Sequence, residues 1–220
     1  MIRIKNLFLR YVRQYYALYD ITLEIGLGEK VAFIGDSGSG KTSLIRTLIK
    51  LEKPQKGEVY IRNIPIKKVN FAEDISLGYL PAAPIFFENK TVRENLLYVE
   101  KMQFQRRSQM ENAITDTLKE FGIEDLQDII VSDLTLYQKY IVSLARLSLR
   151  EIEILLVDEV LDNLEGQERE NVIDILNSKF LKENTIFVLS TADEALAKRL
   201  CNRKVFFENG SIVKESVESL

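Results

Sequence analysis

The sequence contains no histidine and no tryptophan among its 220 residues, and it has one cysteine, Cys201. Without histidine, the chain by itself cannot form a histidine–metal site, a Ser-His-Asp triad or a histidine proton relay. A single cysteine excludes a disulfide bond within the chain. These absences remove several classes of hydrolase and metalloenzyme before any motif is considered.

An excess of one charge and long apolar runs are also lacking. Lys and Arg number 30 against 33 Asp and Glu, so the net charge of −3 gives no support for nucleic-acid binding through bulk charge. No stretch approaches the roughly 18–20 apolar residues of a membrane span. Basic residues scattered from Arg3 to Arg13 argue against a secretory signal. We therefore expect a cytoplasmic location, peripheral to the cytoplasmic face of a membrane through a partner.

The overall composition is that of an ordinary globular protein, with 46% hydrophobic and 29% charged residues. At about 150 residues per domain, the length predicts one domain with an insertion. Strand patterns occur in residues 1–88 and again after residue 151, whereas the patterns between them are mainly helical. This order predicts an α/β fold with a mostly parallel sheet flanked by helices and an N-terminal antiparallel β subdomain. The core would comprise residues 1–88 and 151–220, with an inserted α-helical subdomain at about 89–150.

A glycine-rich segment, GDSGSGKT at residues 35–42, matches the phosphate-binding pattern GxxxxGK[ST] throughout. Its glycines let backbone N–H groups face an anion at the N-terminus of a helix, where the helix dipole is positive. The strand KVAFI before it and the helical TSLIRTLIKL after it argue against a chance match in a flexible loop. The residues predicted to bind the nucleotide are Gly35, Asp36, Ser37, Gly38, Ser39, Gly40, Lys41, Thr42 and Ser43.

Two residues of this loop have specific expected roles. Lys41 is expected to reach the β- and γ-phosphates, and the Thr42 hydroxyl is expected to bind Mg²⁺. The helix that follows is predicted to end before Pro54 and Gly57. Its predicted apolar face consists of Leu44, Ile45, Leu48, Ile49 and Leu51.

A second motif, ILLVDE, is an apolar strand that ends in Asp158 and Glu159. Asp158 is placed to hold Mg²⁺ at the C-terminal edge of a parallel sheet. Glu159 is placed to orient or deprotonate an attacking water, so Glu159 and Lys41 are the candidate catalytic residues. The alternative is a solvated carboxylate pair at a strand end, against which the phosphate loop upstream argues.

Together these motifs resemble the nucleotide-binding domain of ABC ATPases over nearly the whole chain. The resemblance also rests on ARLSLREIEILLVDE, GYLPAAPIFF, TVRENL and KVFFENGSIVKE. It implies a stand-alone ATP-binding subunit that binds MgATP at a head-to-tail dimer interface and acts on a separate transmembrane subunit. It also implies that Tyr11 stacks on adenine, with Tyr15 and Tyr16 as alternatives. The short chain further resembles the small cell-division ABC ATPase, which works on a membrane partner without obvious transport.

Several positions depart from the family's pattern. The Q-loop glutamine falls on Ala82, the signature LSGGQ falls on residues 134–138, and the switch histidine falls on Ala192. The proline and threonine after the glutamate are Val160 and Leu161. Because the loss of one positioned polar group typically lowers a rate by about 10²–10⁴, we expect slow or impaired ATP hydrolysis.

Another class of function also fits the sequence. A non-catalytic regulatory module could keep the ABC fold and use ATP as a structural ligand, as Ala82, Tyr137 and Ala192 suggest. A small P-loop kinase fits the spacing of the motifs less well, and a DNA-repair ABC ATPase would need a long coiled-coil insert. The sequence leaves open whether the chain forms a homodimer or a heterodimer.

Overall fold

The computed structural model describes residues 1–71, 73–100 and 107–217. The strands are, in chain order, β1 (Ile2–Val12), β2 (Tyr15–Ile25), β3 (Lys30–Ile34), β4 (Lys56–Ile61), β5 (Ile64–Pro65), β6 (Leu77–Leu80), β7 (Ile154–Asp158), β8 (Ile186–Thr191), β9 (Arg203–Glu208) and β10 (Ser211–Val217). The α-helices are α1 (Lys41–Leu48), α2 (Val92–Glu100), α3 (Arg107–Glu120), α4 (Leu136–Ser148), α5 (Gly166–Ile175) and α6 (Glu194–Leu200). A π-helical turn, Leu176–Phe180, extends α5.

The strands form two sheets. A four-stranded antiparallel sheet has the order β2-β1-β4-β5, and a six-stranded sheet has the order β10-β9-β3-β8-β7-β6. In the larger sheet, β9, β3, β8, β7 and β6 are parallel neighbours, and β10 closes the edge as an antiparallel hairpin with β9. The predicted α/β class, with a mostly parallel sheet and an N-terminal antiparallel β unit, is confirmed.

Strands β7 and β8 are apolar along most of their length because helices or the second sheet cover both faces. All residues of β7 and of β8 are buried. Strand β3 divides its side chains between two clusters: Ala32 and Ile34 join one, while Val31 and Phe33 join the other. This period-two alternation places the two clusters on opposite faces of the six-stranded sheet.

The helical region between β6 and β7 shares the first of these clusters with the sheet. Leu96 of α2, Ile114 of α3 and Leu144 of α4 belong to the same buried cluster as Leu155 of β7. The second cluster joins α1, through Leu44, to the antiparallel sheet. Within the described residues, no helix is both long enough and apolar enough to cross a bilayer.

The predicted apolar face of α1 is wrong at its last member. The helix ends at Leu48, and Leu51 lies beyond it with 63% of its surface exposed. Lys50 has a left-handed backbone (φ 62°), which reverses the chain before Leu51 can continue the helical period. Leu44, Ile45 and Leu48 are buried as expected.

Candidate functional site

The C-terminal ends of β3, β7 and β8 lie side by side at one edge of the six-stranded sheet. Ile34 pairs with Thr191, and Asp158 pairs with Ser190, so the three strands end in register. The phosphate loop, residues 35–40, leaves β3 at this edge and leads into α1. Ligands of open parallel α/β sheets bind at this edge, so the fold brings both sequence motifs to the expected place.

Lys41 is folded against its own loop. The side chain is 2% exposed, and Nζ donates hydrogen bonds to the carbonyl oxygens of Gly35 (2.6 Å) and Asp36 (2.9 Å). The tight loop requires glycine at residue 40, where φ is +112° and a Cβ would lie 2.7 Å from the carbonyl oxygen of Ala17. The ammonium group is therefore held against the carbonyl oxygens of its own loop, and its binding of phosphate oxygens stays a prediction.

The two candidate catalytic residues form an ion pair. Lys41 Nζ lies 3.1 Å from Glu159 Oε1. Glu159 follows β7 in a left-handed conformation (φ 53°), which for a non-glycine residue costs about 1–3 kcal/mol. Its backbone N–H donates to the carbonyl oxygen of Ser190 (3.1 Å), and its own carbonyl oxygen accepts a bond from Asn163 Nδ2 (2.9 Å). These bonds hold the glutamate in the strained conformation that aims its carboxylate at the loop.

Asp158 is buried, and hydroxyl groups donate to both of its carboxylate oxygens. Thr42 Oγ1 (3.0 Å) and Ser190 Oγ (2.5 Å) donate to Oδ1, and the Tyr79 hydroxyl donates to Oδ2 (3.3 Å). Burial, together with the negative charge of Asp158, raises the pKa of Tyr79 to about 12, so the phenol stays protonated and remains a donor. The Asp158 carboxylate and the adjacent Thr42 hydroxyl are hard oxygen ligands, and this set fits the predicted Mg²⁺.

The structure separates two of the three tyrosines that compete for the adenine role, Tyr11 and Tyr16. Tyr11 lies beside the start of α1, where its hydroxyl donates to Ser43 Oγ (3.2 Å), and the residue is 54% exposed. Tyr16 lies in an aromatic group with Phe8 and Tyr19, and the Arg10 guanidinium covers its ring at 4.7 Å. Of these two tyrosines, Tyr11 is the one whose hydroxyl contacts the helix that follows the phosphate loop. Its stacking on adenine stays a prediction.

Tyr137 lies where the family resemblance predicts a signature glycine to be replaced, and its side chain turns back into the protein. Its hydroxyl accepts a hydrogen bond from Asn171 Nδ2 of α5 (3.1 Å). The neighbouring Leu136 is exposed. Thr135 caps α4: its Oγ1 accepts from the Gln138 N–H (3.2 Å), and the Gln138 amide oxygen accepts from the Thr135 N–H (2.9 Å). The first turn of α4 is thus formed and capped without the two glycines.

The positions of the absent glutamine and histidine differ in their surroundings. Ala82 is fixed through its carbonyl oxygen, which accepts a hydrogen bond from the Tyr140 hydroxyl. Ala192 lines a shallow, solvent-open cavity of about 420 Å³ beside the phosphate loop. Asp162 lines the same cavity; burial, helped by the charge of Glu159, raises its pKa, and its Oδ1 accepts a bond from Thr191 Oγ1 (2.6 Å).

Sequence reasoning missed two groups that hold Asp158. Ser190 is the penultimate residue of β8, and Asp158 is the last residue of β7, so the pairing of two parallel strand ends could have indicated their contact. Tyr79 gave no such signal, because its contact depends on the register of β6 against β7, in which Tyr79 pairs with Leu156.

Comparisons with known proteins point to one family. The profile of the ABC transporter family matches residues 18–162. The chain is 31% identical over 225 residues to a probable ABC transporter ATP-binding protein, PEB1C, of Campylobacter jejuni; the match covers 100% of this chain and 91% of that protein. It is 30% identical to the methionine import ATP-binding protein MetN of Bacillus subtilis, over 90% of this chain and 60% of that protein.

Solved structures show the same fold. The ATP-binding subunit of an ABC transporter superposes with a TM-score of 0.85 at 24% identity, covering 99% of this chain and 90% of that chain. A dimeric bacterial ABC transporter cassette superposes with a TM-score of 0.87 at 24% identity over 100% of both chains. The chain therefore belongs to the ABC transporter family and has the fold of its ATP-binding subunits.

Proposed function

We propose that this chain is the ATP-binding subunit of an ABC transporter or of a transporter-like membrane complex. It binds MgATP at a dimer interface and drives or gates a separate transmembrane subunit. The observation that supports this most directly is the convergence of Lys41, Thr42, Asp158 and Glu159 at one edge of the sheet. These residues come from two motifs that are more than one hundred residues apart, and chance placement would not bring them together.

Each of these residues has a defined task in the proposal. Lys41 leaves its loop carbonyls and Glu159 to bind the β- and γ-phosphates. Thr42 and Asp158 hold Mg²⁺, which when bound neutralises charge on the phosphate oxygens. Glu159, released from Lys41, accepts a hydrogen bond or a proton from the attacking water.

Hydrolysis in this proposal is slow. The groups that hold MgATP on its own subunit are present, whereas the positions of the Q-loop glutamine and the switch histidine carry the methyl groups of Ala82 and Ala192. One such loss corresponds to about 3–5 kcal/mol of activation free energy at about 1.4 kcal/mol per factor of ten. Several such losses are not additive, because groups that act on one transition state depend on one another.

The proposed partners are another ABC subunit, identical or different, and a transmembrane chain that holds this subunit at the cytoplasmic face of the membrane. The contact with the transmembrane chain is supported by an exposed apolar surface formed by residues that come after β6 in the sequence. Ile85 is 64% exposed, and the exposed rings of Phe87 and Tyr98 meet edge to face with centroids 4.5 Å apart. We also propose that residues 1–88 and 151–220 form the core subdomain and residues 89–150 the helical one.

A second candidate function is a regulatory module that binds ATP without turnover. The observation that favours it is the hydrogen bond from Asn171 Nδ2 of α5 to the Tyr137 hydroxyl. This bond holds an aromatic ring of the signature segment, residues 134–138, against α5. In such a module, ATP would act as a structural ligand of a complex.

One experiment tests both candidates. MgATP binding and turnover are measured on the purified chain, on Lys41→Ala and Glu159→Gln, and on Lys67→Ala, a control lysine that is exposed in a 3₁₀ turn. We expect Lys41→Ala to weaken ATP binding by about tenfold or more and Lys67→Ala to leave it unchanged. Glu159→Gln should bind ATP at least as tightly as the wild-type chain and lower turnover by about 10²–10⁴. Unchanged binding in Lys41→Ala would contradict the proposal, and binding without any wild-type turnover would favour the regulatory module.

A further inference from the structure

The cavity beside Ala192 is lined by more acidic than basic side chains. It is about 420 Å³ in volume, and it is lined by Ser37, Glu159, Asp162, Arg169, Ala192 and Asp193. Ser37 belongs to the phosphate loop, so the cavity opens where the terminal phosphate of a bound nucleotide would lie. Three of the lining side chains are carboxylates, and Arg169 is the cation among them.

This arrangement creates an electrostatic difficulty for a terminal phosphate. The phosphate oxygens carry negative charge, and Lys41, the nearest cation of the loop, is paired with Glu159 in the free protein. Once Lys41 moves to the phosphates, Glu159 and Asp162 both face the same space as the phosphate. Like charges in a partly buried site repel strongly. Mg²⁺ held by Thr42 and Asp158 would offset part of this repulsion, and neither of these residues lines the cavity, so a cation on the Ala192 side would lower the repulsion further.

Arg169 is positioned to supply that charge. It lies in the first turns of α5, and its Nε donates a hydrogen bond to the carbonyl oxygen of Leu164 (2.7 Å). This bond anchors the guanidinium group at one corner. Its Nη1 lies 3.9 Å from Asp193 Oδ2, which is too long for a hydrogen bond, and the side chain is 27% exposed.

A guanidinium group suits this task because it stays charged and presents its N–H groups in a planar fork that matches phosphate oxygens. A methyl group at Ala192 makes no polar contact and leaves the cavity open to a longer side chain from a neighbouring element. Arg169 lies on α5, whereas Ala192 lies in the loop after β8. The positive charge would therefore come from a different element than the one on which the switch histidine is expected.

We propose that Arg169 binds the terminal phosphate of ATP through the space that Ala192 leaves open, and so distinguishes ATP from ADP. This inference rests on the proposed function, because it concerns the same nucleotide. The competing interpretation is structural: the bond to Leu164 would only fix the segment between β7 and α5. The two interpretations differ in which nucleotide is affected by loss of the guanidinium group.

The test measures the affinities of ATP and ADP, each with Mg²⁺, for the wild-type chain and for Arg169→Gln. The control is Arg199→Gln. It removes an arginine of α6 that donates two hydrogen bonds to the Glu170 carboxylate of α5. We expect Arg169→Gln to weaken ATP binding by about tenfold or more and to change ADP binding by less than about twofold. Arg199→Gln should leave the ratio of the two affinities unchanged.

A rescue variant adds a second arm. In the Arg169→Gln background, Ala192→His places an imidazole at the cavity wall, and we expect it to recover part of the lost preference for ATP. An unchanged ratio of ATP to ADP affinity in Arg169→Gln would overturn the inference, as would an equal loss for both nucleotides, which indicates the structural role. Failure of the proposed function is separate, since it would appear as a wild-type chain that shows no specific ATP binding, or as a Lys41→Ala variant that binds ATP as tightly as the wild-type chain does.

Discussion

The ammonium group of Lys41 and the carboxylate of Glu159 form an ion pair of 3.1 Å, in which the lysine is 2% exposed and the glutamate 34% exposed. Both groups are expected to act on ATP, and in the nucleotide-free structure they neutralise each other. In the proposed function, ATP displaces Glu159 from Lys41 as its phosphates bind, and that exchange frees the glutamate to accept a hydrogen bond or a proton from the attacking water.

This pairing predicts that Glu159→Gln binds ATP more tightly than the wild-type chain does. The substitution removes both the competitor for Lys41 and a negative charge near the terminal phosphate. A partly exposed ion pair contributes up to about 1 kcal/mol, so we expect an increase in affinity of about fivefold, measured by calorimetry. Glu124→Gln, at an exposed position of the helical region, is the control. Weaker ATP binding in Glu159→Gln would show that the ion pair does not compete with the nucleotide.

Tyr79→Phe is predicted to raise the Mg²⁺ concentration required for ATP binding. The phenol donates to Asp158 Oδ2, and its loss leaves that oxygen of a buried carboxylate without this donor. Partners that orient a metal ligand typically change metal affinity by about 10–100-fold, and we expect the lower end here. The measurement is a Mg²⁺ titration of nucleotide binding, with Tyr60→Phe in β4 as the matched control. If the Mg²⁺ requirement does not move, the Tyr79 contact serves only packing.

Tyr11→Ala is predicted to weaken binding of ATP but not of inorganic tripolyphosphate, because the ring is expected to contact only the base. Stacking of this kind is worth about 1–3 kcal/mol per base, which corresponds to roughly a 5–150-fold loss. Tyr11→Phe should retain most of the affinity, since stacking needs the ring and not the hydroxyl. Tyr15→Ala, at a more exposed site on β2, is the comparison. A larger loss in Tyr15→Ala than in Tyr11→Ala would transfer the adenine role to Tyr15.

The sequence predicted those parts of the site that are encoded locally. The phosphate loop is a contiguous motif, and Asp158 ends an apolar strand, so their meeting at one sheet edge follows from the geometry of parallel strands. Other contacts depend on register and on side-chain direction. Tyr79 reaches Asp158 because β6 pairs with β7 in a particular register. Arg169 lines the same cavity as Ala192 because the first turn of α5 lies beside the loop after β8. Leu51 was misplaced because one left-handed residue, Lys50, ended the helix early.

The position of β3 between β8 and β9 has a consequence for how the chain is made. The strand that carries the phosphate loop comes early in the chain, yet both of its neighbours in the sheet begin at residue 186 or later. During synthesis, Lys41 and Thr42 therefore leave the ribosome long before the strands that fix their backbone. Contacts between residues so far apart form slowly, because a long loop must close first. A growing chain consequently carries the phosphate-binding sequence for most of its synthesis without the site that the sequence encodes.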